Sequence, residues 1–390
     1  MASYKYLMIG AGMTADAAVR GIRELDSTGS IGLIGMDNNP PYNRPPLTKG
    51  LWKGKSLDSI WRRTEQFSVD LHIGRSARSI DPAKKVVLDD QGSEYKYEKL
   101  LLATGGTPRK FPFGAEDVIY YRTLEDYQRL REMTGHAEHF GVIGGGFIGS
   151  EIAAALTMNG KKVTMLFPDA GIGASIYPAE ISDYLNSFFR QKGVEILSGV
   201  RVHDIQKQGS AYEIVTEGGE KIHVNGVIAG IGIQPNIELA QATGLKVANG
   251  IVVDETLHTS QPDIFAAGDV AEFNNPTLGK RLRIEHEDNA NTMGKQAGRN
   301  MAGANEPYNH LSYFYSDLFE LGYEAVGELD PRLETYVDWK EPFKKGVVYY
   351  LAGGRVRGVL LWNVWDSVPK ARELIAEPGP FSAAELKGRL

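Results

Sequence analysis

Two stretches of this sequence share one plan, and together they constrain the chain more than anything else in it. "YLMIGAGMTADAAV" occupies Tyr6–Val19, and "FGVIGGGFIGSEIAAAL" occupies Phe140–Leu156. In each, an apolar run enters a tight glycine turn and leaves as an alanine-rich helix. The spacings are Gly10-x-Gly12-x-x-Ala15 and Gly144-x-Gly146-x-x-Gly149. The first glycine permits the turn, and the second lets a pyrophosphate approach the backbone. The third position must be small for the helix to pack on the strand. The helix N-terminus then offers free N–H groups and partial positive charge to phosphates. A glycine triplet alone ends many strands. Here each one follows a strand, opens a helix and precedes an acidic residue, which is the context the motif needs. The expected fold class is therefore α/β, with two Rossmann-like dinucleotide-binding domains.

The 390 residues are enough for two or three domains. The expected boundaries are 1–112 with 240–310 for the first dinucleotide domain, 113–239 for the second, and 311–390 for the remainder. From about 311 the texture turns aromatic and alternating, as in "GVVYYLAGGRVRGVLLWN", which predicts an antiparallel sheet, with a final helix near 367–376. The C-terminal part is thus an α+β domain. Helices are also predicted from about Thr14 to Leu25 and over 179–192, with a turn at "GIQPN", Gly232–Asn236. The loop "DNNPPYNRPPLTKG" carries Pro40, Pro41, Pro45 and Pro46, which bars helix and central strand alike.

Net charge is −6, which disfavours a general nucleic-acid binder. The chain has no cysteine, so disulfides, thiolate metal sites and a redox-active cysteine pair are all excluded. No metal site is expected. The first strand begins near Tyr4, so no signal or transit peptide is expected ahead of it, and a cytoplasmic protein is the expectation. No apolar run reaches the roughly 20 residues of a spanning helix.

The acids after each cradle discriminate between ligands. Asp37 lies just past the strand "IGLIGM" and suits an adenosine ribose. In the second half the strand ends at Phe167, and Asp169 follows two residues on; it is either a ribose carboxylate or an ordinary loop aspartate. "PDAGIGAS" offers no Arg, Lys or His for a 2′-phosphate, which favours NAD over NADP. In "TSQPDIFAAGDV", Asp269 follows an apolar strand, where a carboxylate accepts hydrogen bonds from a polyol or caps the next helix.

The two dinucleotide motifs, "LLLATGG", "YNRPPLTK" and "IFAAGDV" resemble the flavoprotein reductases with two dinucleotide domains, a glutathione reductase-like arrangement. "PYNRPPLTK" without cysteine is similar to oxygenase-coupled ferredoxin reductases, monodehydroascorbate reductase and apoptosis-inducing factor. "LFPDAGIG", "RIEHEDNA", "SDLFELGYEAVG" and "GVLLWNVWDSVPKAREL" bring it closest to the apoptosis-inducing factor type. The resemblance covers nearly the whole chain. It implies FAD in the first cradle, NADH in the second, and a C-terminal domain covering the flavin.

The resemblance also implies roles. Arg44, Pro45 and Lys49 contact FAD, as do Ala103, Thr104 and Gly105 of the strand end, and Asp269 holds the ribityl chain. Phe147 covers the nicotinamide site, Glu151 pairs with Lys49 beside the flavin, and Asp169 takes the adenosine ribose. Glu285, His286 and Glu324 line the nicotinamide side, and Gly232 belongs to the same cofactor set. Lys49 and Glu151 are the implied catalytic pair. Each also has a plain reading, as a solvated loop lysine and as an acid favoured in a first helical turn. Tyr315 stands where relatives often carry a tryptophan near the flavin, and it departs from that pattern.

Without cysteine, electrons must pass directly from flavin to acceptor. The expected activity is an FAD-dependent NADH oxidoreductase serving a one-electron carrier such as a ferredoxin or rubredoxin. Lys340, Lys344, Lys345, Arg355, Arg357, Lys370 and Arg372 form a basic stretch in an acidic chain, which suits an acidic carrier. The alternatives are a diaphorase with a quinone or oxygen acceptor, and a redox-sensing interaction protein. A homodimer is compatible with the sequence.

Overall fold

The computed structural model describes residues 1–390. The chain divides into two compact units. One comprises Met1–Asn43, Ser56–Thr107 and Gln234–Tyr313; the other comprises Arg44–Lys55, Pro108–Ile233 and Phe314–Leu390. The proline loop from Arg44 onward, which the sequence boundaries group with the first dinucleotide domain, packs in the second unit.

The first unit is built on a seven-stranded sheet. Its central strand, Ala2–Ile9, runs parallel to Ile31–Gly35 on one side and Glu94–Leu102 on the other. Val69–Ile73 and Ile264–Ala266 extend it in parallel, and the hairpin strands Val86–Asp89 and Ala77–Asp81 close it antiparallel. Leu7, Met8 and Leu101 are fully buried, as expected of strands covered on both faces. The helix Met13–Arg23 lies against Glu287–Met301. Their backbones approach at Gly298, where a Cβ would sit 2.0 Å from the Ala18 carbonyl oxygen. Asp16, fully buried on the first of these helices, accepts from Arg62 at 2.6 Å, Arg20 at 2.8 Å and Thr64 at 2.7 Å. That network ties the segment after Ser56 to the cradle helix and leaves no buried charge unpaired.

The second unit repeats the plan with a five-stranded parallel sheet in the order Val194–Ser198, Lys162–Phe167, His139–Ile143, Gly226–Ala229, Ile119–Tyr120. The helix Phe147–Met158 follows the strand His139–Ile143. A separate three-stranded antiparallel sheet holds Val202–Gln208, Ala211–Thr216 and Lys221–Val224. The C-terminal part is a five-stranded antiparallel sheet in the order Tyr313–Leu318, Leu321–Gly327, Arg355–Trp362, Lys345–Ala352, Glu334–Glu341. On one face of it Tyr323 and Trp362 stack in parallel, 5.8 Å between centroids, and Tyr177 meets both edge-on at 5.6 and 6.0 Å. The phenol of Tyr350 donates to the Ile176 carbonyl at 2.7 Å.

The predicted helices appear as Met13–Arg23, Ala179–Gln191 and Val368–Ala376. The expected turn at "GIQPN" is instead a short strand, Ile233–Pro235, entered through Gly232 at φ +92°. No helix is long and apolar enough to cross a membrane.

Candidate cofactor-binding site

In the first unit, Gly10 sits at φ +113°, and a Cβ there would lie 2.1 Å from the Ala103 carbonyl oxygen. Only glycine meets both conditions. The helix Met13–Arg23 starts at Gly12 with no side-chain cap, although Leu124–Met133 in the same chain has a full capping box from Thr123 and Asp126. Ala15 is fully buried. Asp37 is held before any ligand arrives: its carboxylate accepts from the Asn39 backbone and side-chain amides, both at 2.9 Å, and from the Tyr42 hydroxyl at 2.9 Å. The segment Ala103–Gly105 is pinned by Asn236. Thr104 donates to the Asn236 carbonyl at 2.9 Å, and the Asn236 side chain donates back to Thr104 at 2.8 Å. The Asn236 backbone N–H donates to the Gly105 carbonyl at 3.0 Å.

Asp269 lies in the single 3₁₀ turn Gly268–Val270. Arg283 fixes its main chain, donating to the Asp269 carbonyl at 3.0 Å and to the Glu285 carboxylate at 2.5 Å. His286 is the N-cap residue of Glu287–Met301 but makes no side-chain cap. Desolvation pushes its imidazole down to about 4, against the opposing pull of Asp269 and Asp288. It is neutral at physiological pH.

In the second unit, Gly144 sits at φ +115°, with the Gly230 carbonyl 2.3 Å from where a Cβ would be. At Gly149 a Cβ would lie 1.9 Å from the Gly144 carbonyl, so this third position must be glycine for helix to meet turn. Gly146 differs. Its φ is −82°, and a Cβ there would meet nothing within 4 Å. Nothing inside the protein demands glycine at that position. Phe147 opens the helix, edge-on to Phe314 at 5.1 Å. The Gly232 carbonyl accepts from the Arg109 backbone at 2.9 Å. Asp169 is exposed, and its carboxylate makes no hydrogen bond within the protein.

The same unit contains the Lys49–Glu151 pair, 2.6 Å apart and nearly enclosed, with side-chain exposures of 12% and 5%. Two hydroxyls complete the carboxylate's shell: Thr48 donates to Oε2 at 2.5 Å and Ser316 to Oε1 at 2.6 Å. The Lys49 ammonium lies 5.1 Å from the Tyr315 ring centre. Pro45 opens the 3₁₀ turn Pro45–Leu47, and Arg44 caps it through a backbone bond to Leu47 at 2.9 Å. That turn is fastened at the Leu47 carbonyl, which accepts from Tyr121 at 2.6 Å and Trp52 at 2.8 Å.

Glu324 is not brought to this pair. Successive residues of a strand face opposite ways. Tyr323 faces Tyr177, so Glu324 points to the other face of the C-terminal sheet. There burial, helped by the Asp366 charge, raises its carboxyl above the usual range. Sequence reasoning missed Thr48, Ser316, Asn236, Tyr177 and Tyr323. Thr48, Asn236, Ser316 and Tyr323 sat inside quoted motifs; Tyr177 had no local signal. No group of His, Asp or Glu is arranged to hold a metal ion.

Comparison with known proteins bears on this arrangement. The family described as Pyridine nucleotide-disulphide oxidoreductase matches residues 4–294. The family described as Apoptosis-inducing factor, mitochondrion-associated, C-term, matches 297–341 and 336–377. The chain is 32% identical to apoptosis-inducing factor 1, mitochondrial, of Dictyostelium discoideum, covering 95% of this chain and 78% of that protein. It is also 32% identical to the anthranilate 1,2-dioxygenase system ferredoxin–NAD(+) reductase component of Burkholderia cepacia, covering 99% and 98%. Among solved structures, the covalent putidaredoxin reductase–putidaredoxin complex aligns with a TM-score of 0.91 at 29% identity, covering 98% of this chain and 95% of that one.

Proposed function

This chain belongs to the pyridine nucleotide-disulphide oxidoreductase family, and from that premise we propose that its two cradles divide the work between a resident FAD and an exchanging NADH. It is an NADH-dependent flavoprotein reductase. The observation that carries the division is the doubled glycine cradle. Two helices begin at the glycine of a tight turn, and Gly146 has no internal reason to be glycine. A backbone kept bare where the protein itself does not need it suits a pyrophosphate.

In the first cradle Gly10, Gly12 and Ala15 receive the FAD pyrophosphate, Asp37 the adenosine ribose and Asp269 the ribityl chain. In the second, Gly144, Gly146 and Gly149 receive NADH, and Asp169 takes its ribose. Bound FAD supplies the redox chemistry, taking hydride from NADH and releasing electrons singly. The protein's part is orientation and electrostatics. Lys49 brings a cation to the flavin, and Glu151 holds that cation in one place. Neutral His286 adds no charge beside Asp269. With no cysteine in the chain, nothing on the protein stores the electrons.

The proposed acceptor is a small acidic one-electron carrier of the ferredoxin kind, docking on the basic stretch that includes the exposed Lys344 and Lys345. Its relatives named as ferredoxin reductases support this reading. Exposed charges are screened beyond about 8 Å at physiological ionic strength. The carrier's reduction should therefore slow as salt rises, while reduction of a neutral quinone should not. Replacing Lys344 and Lys345 by Glu should slow the carrier alone. A carrier-to-quinone rate ratio that is flat in salt and indifferent to the charge reversal would favour a diaphorase instead.

A further inference from the structure

Three consecutive residues of the strand Tyr313–Leu318 each take a partner from the elements that carry the catalytic pair. The Tyr315 ring faces the Lys49 ammonium at 5.1 Å, Ser316 Oγ donates to Glu151 at 2.6 Å, and Asp317 is 3.6 Å from Lys53. Ser316 is 1% exposed and Glu151 5% exposed. A carboxylate this enclosed has no bulk water to replace a lost donor.

Counting donors locates the restraint. Oε1 accepts from both Lys49 and Ser316, whereas Oε2 accepts from Thr48. Thr48 has one proton and two acceptors in reach, Glu151 at 2.5 Å and the Pro45 carbonyl at 3.3 Å. The closer, charged acceptor takes it. Three donors from two chain segments 102 to 165 residues distant from Glu151 thus fix one rotamer. Without the Ser316 hydroxyl, Oε1 is held by Lys49 alone, and that flexible ammonium is then the part that must do the holding.

We propose that Ser316 is a positioning residue of the redox site: its hydroxyl fixes Glu151, Glu151 fixes the Lys49 ammonium, and the place of that cation sets the flavin's potential. The proposal rests on the reading of Lys49 as the cation that serves the flavin. The sign follows from the hydroxyl dipole, whose positive end faces Oε1. Its removal makes the site more negative and disfavours the reduced ring.

The test uses the full chain in two states. In FAD-free protein, Lys49 is acetylated with acetic anhydride and followed by mass spectrometry, with the exposed Lys344 as internal reference. Ser316→Ala should label at Lys49 about tenfold faster than wild type, the scale of one charge-assisted hydrogen bond. Ser316→Thr should restore the slow rate. In FAD-loaded protein, Ser316→Ala should lower the flavin midpoint potential, by less than Lys49→Ala does, and Ser316→Thr should return it. If Ser316→Ala does not fold, Ser316→Cys, a weak donor of similar shape, carries the same expectations. Wild-type labelling or wild-type potential in the donor-deficient variant overturns the proposal. If Lys49→Ala also leaves the potential unchanged, the failure lies in the assigned role of Lys49 rather than in Ser316 alone.

Discussion

The two cradles begin from nearly the same sequence and are finished differently. In the first, the acid Asp37, proposed to take a ribose, is fixed by Asn39 and Tyr42, and the cradle helix meets a second helix backbone to backbone at Gly298. In the second, Asp169 is exposed and unheld, and the bare face of Gly146 is open. Preorganised groups bind more tightly because the cost of ordering them is met during folding. A fixed acid suits a ligand that stays; a loose one suits a ligand that must leave after each turnover. The difference supports the proposed retention at the first site and exchange at the second.

The largest expected effect separates glycines that the fold needs from the one that a ligand needs. Gly10→Ala combines a left-handed φ with a carbonyl 2.1 Å from the new Cβ, so a loss of about 3 kcal/mol or more in unfolding stability is expected, together with loss of bound FAD. Gly146→Ala should leave stability within about 0.5 kcal/mol of wild type but raise the NADH concentration needed for half-saturation roughly tenfold, by blocking close approach to the backbone. Denaturant titration and steady-state kinetics check the pair. Equal destabilisation by both substitutions would break the comparison.

A smaller effect sharpens the assignment of the second cradle. Asp169 facing a 2′-phosphate at ~4 Å repels it by roughly 4 kcal/mol per unit pair at an effective dielectric of ~20. Its exposure lets solvent remove much of that, leaving a preference for NADH over NADPH of about one to two decades. Asp169→Ala should shrink the ratio of kcat/KM values, whereas Asp37→Ala should leave that ratio alone and weaken FAD retention.

The smallest effect concerns pH. His286 titrates near 4 in the folded chain, below its ordinary 6.5. Between those values the unfolded chain binds more protons, so stability rises with pH through this window and falls on acidification. His286→Gln should flatten the dependence between about 4 and 6.5 by something of order 1–2 kcal/mol. An unchanged slope would mean that other groups dominate it.

What the sequence made legible has a physical boundary. The strand–turn–helix units were readable because their periodicity and glycine spacing are local. Lys49 and Glu151 were readable through the motifs that contain them. Ser316 opens the quoted stretch "SDLFELGYEAVG", but its partner lies 165 residues away, and a serine in an alternating strand looks like any polar residue. The direction of Glu324 depends on which face of the sheet Tyr323 takes, and a strand alternates without saying which face is which. The membership of Arg44–Lys55 in the second unit depends on partners such as Tyr121, 74 residues on, closing on the Leu47 carbonyl, which is again a matter of tertiary contact.

The central claim, one cofactor retained and the other exchanging, is tested most directly by gel filtration of the protein after anaerobic mixing with FAD and NADH, with both nucleotides quantified in the protein peak and in the small-molecule fractions. The account predicts yellow protein carrying close to one FAD per chain, with NAD(H) separated from it. FAD and NAD(H) leaving together, or NAD(H) retained while FAD elutes free, would contradict it.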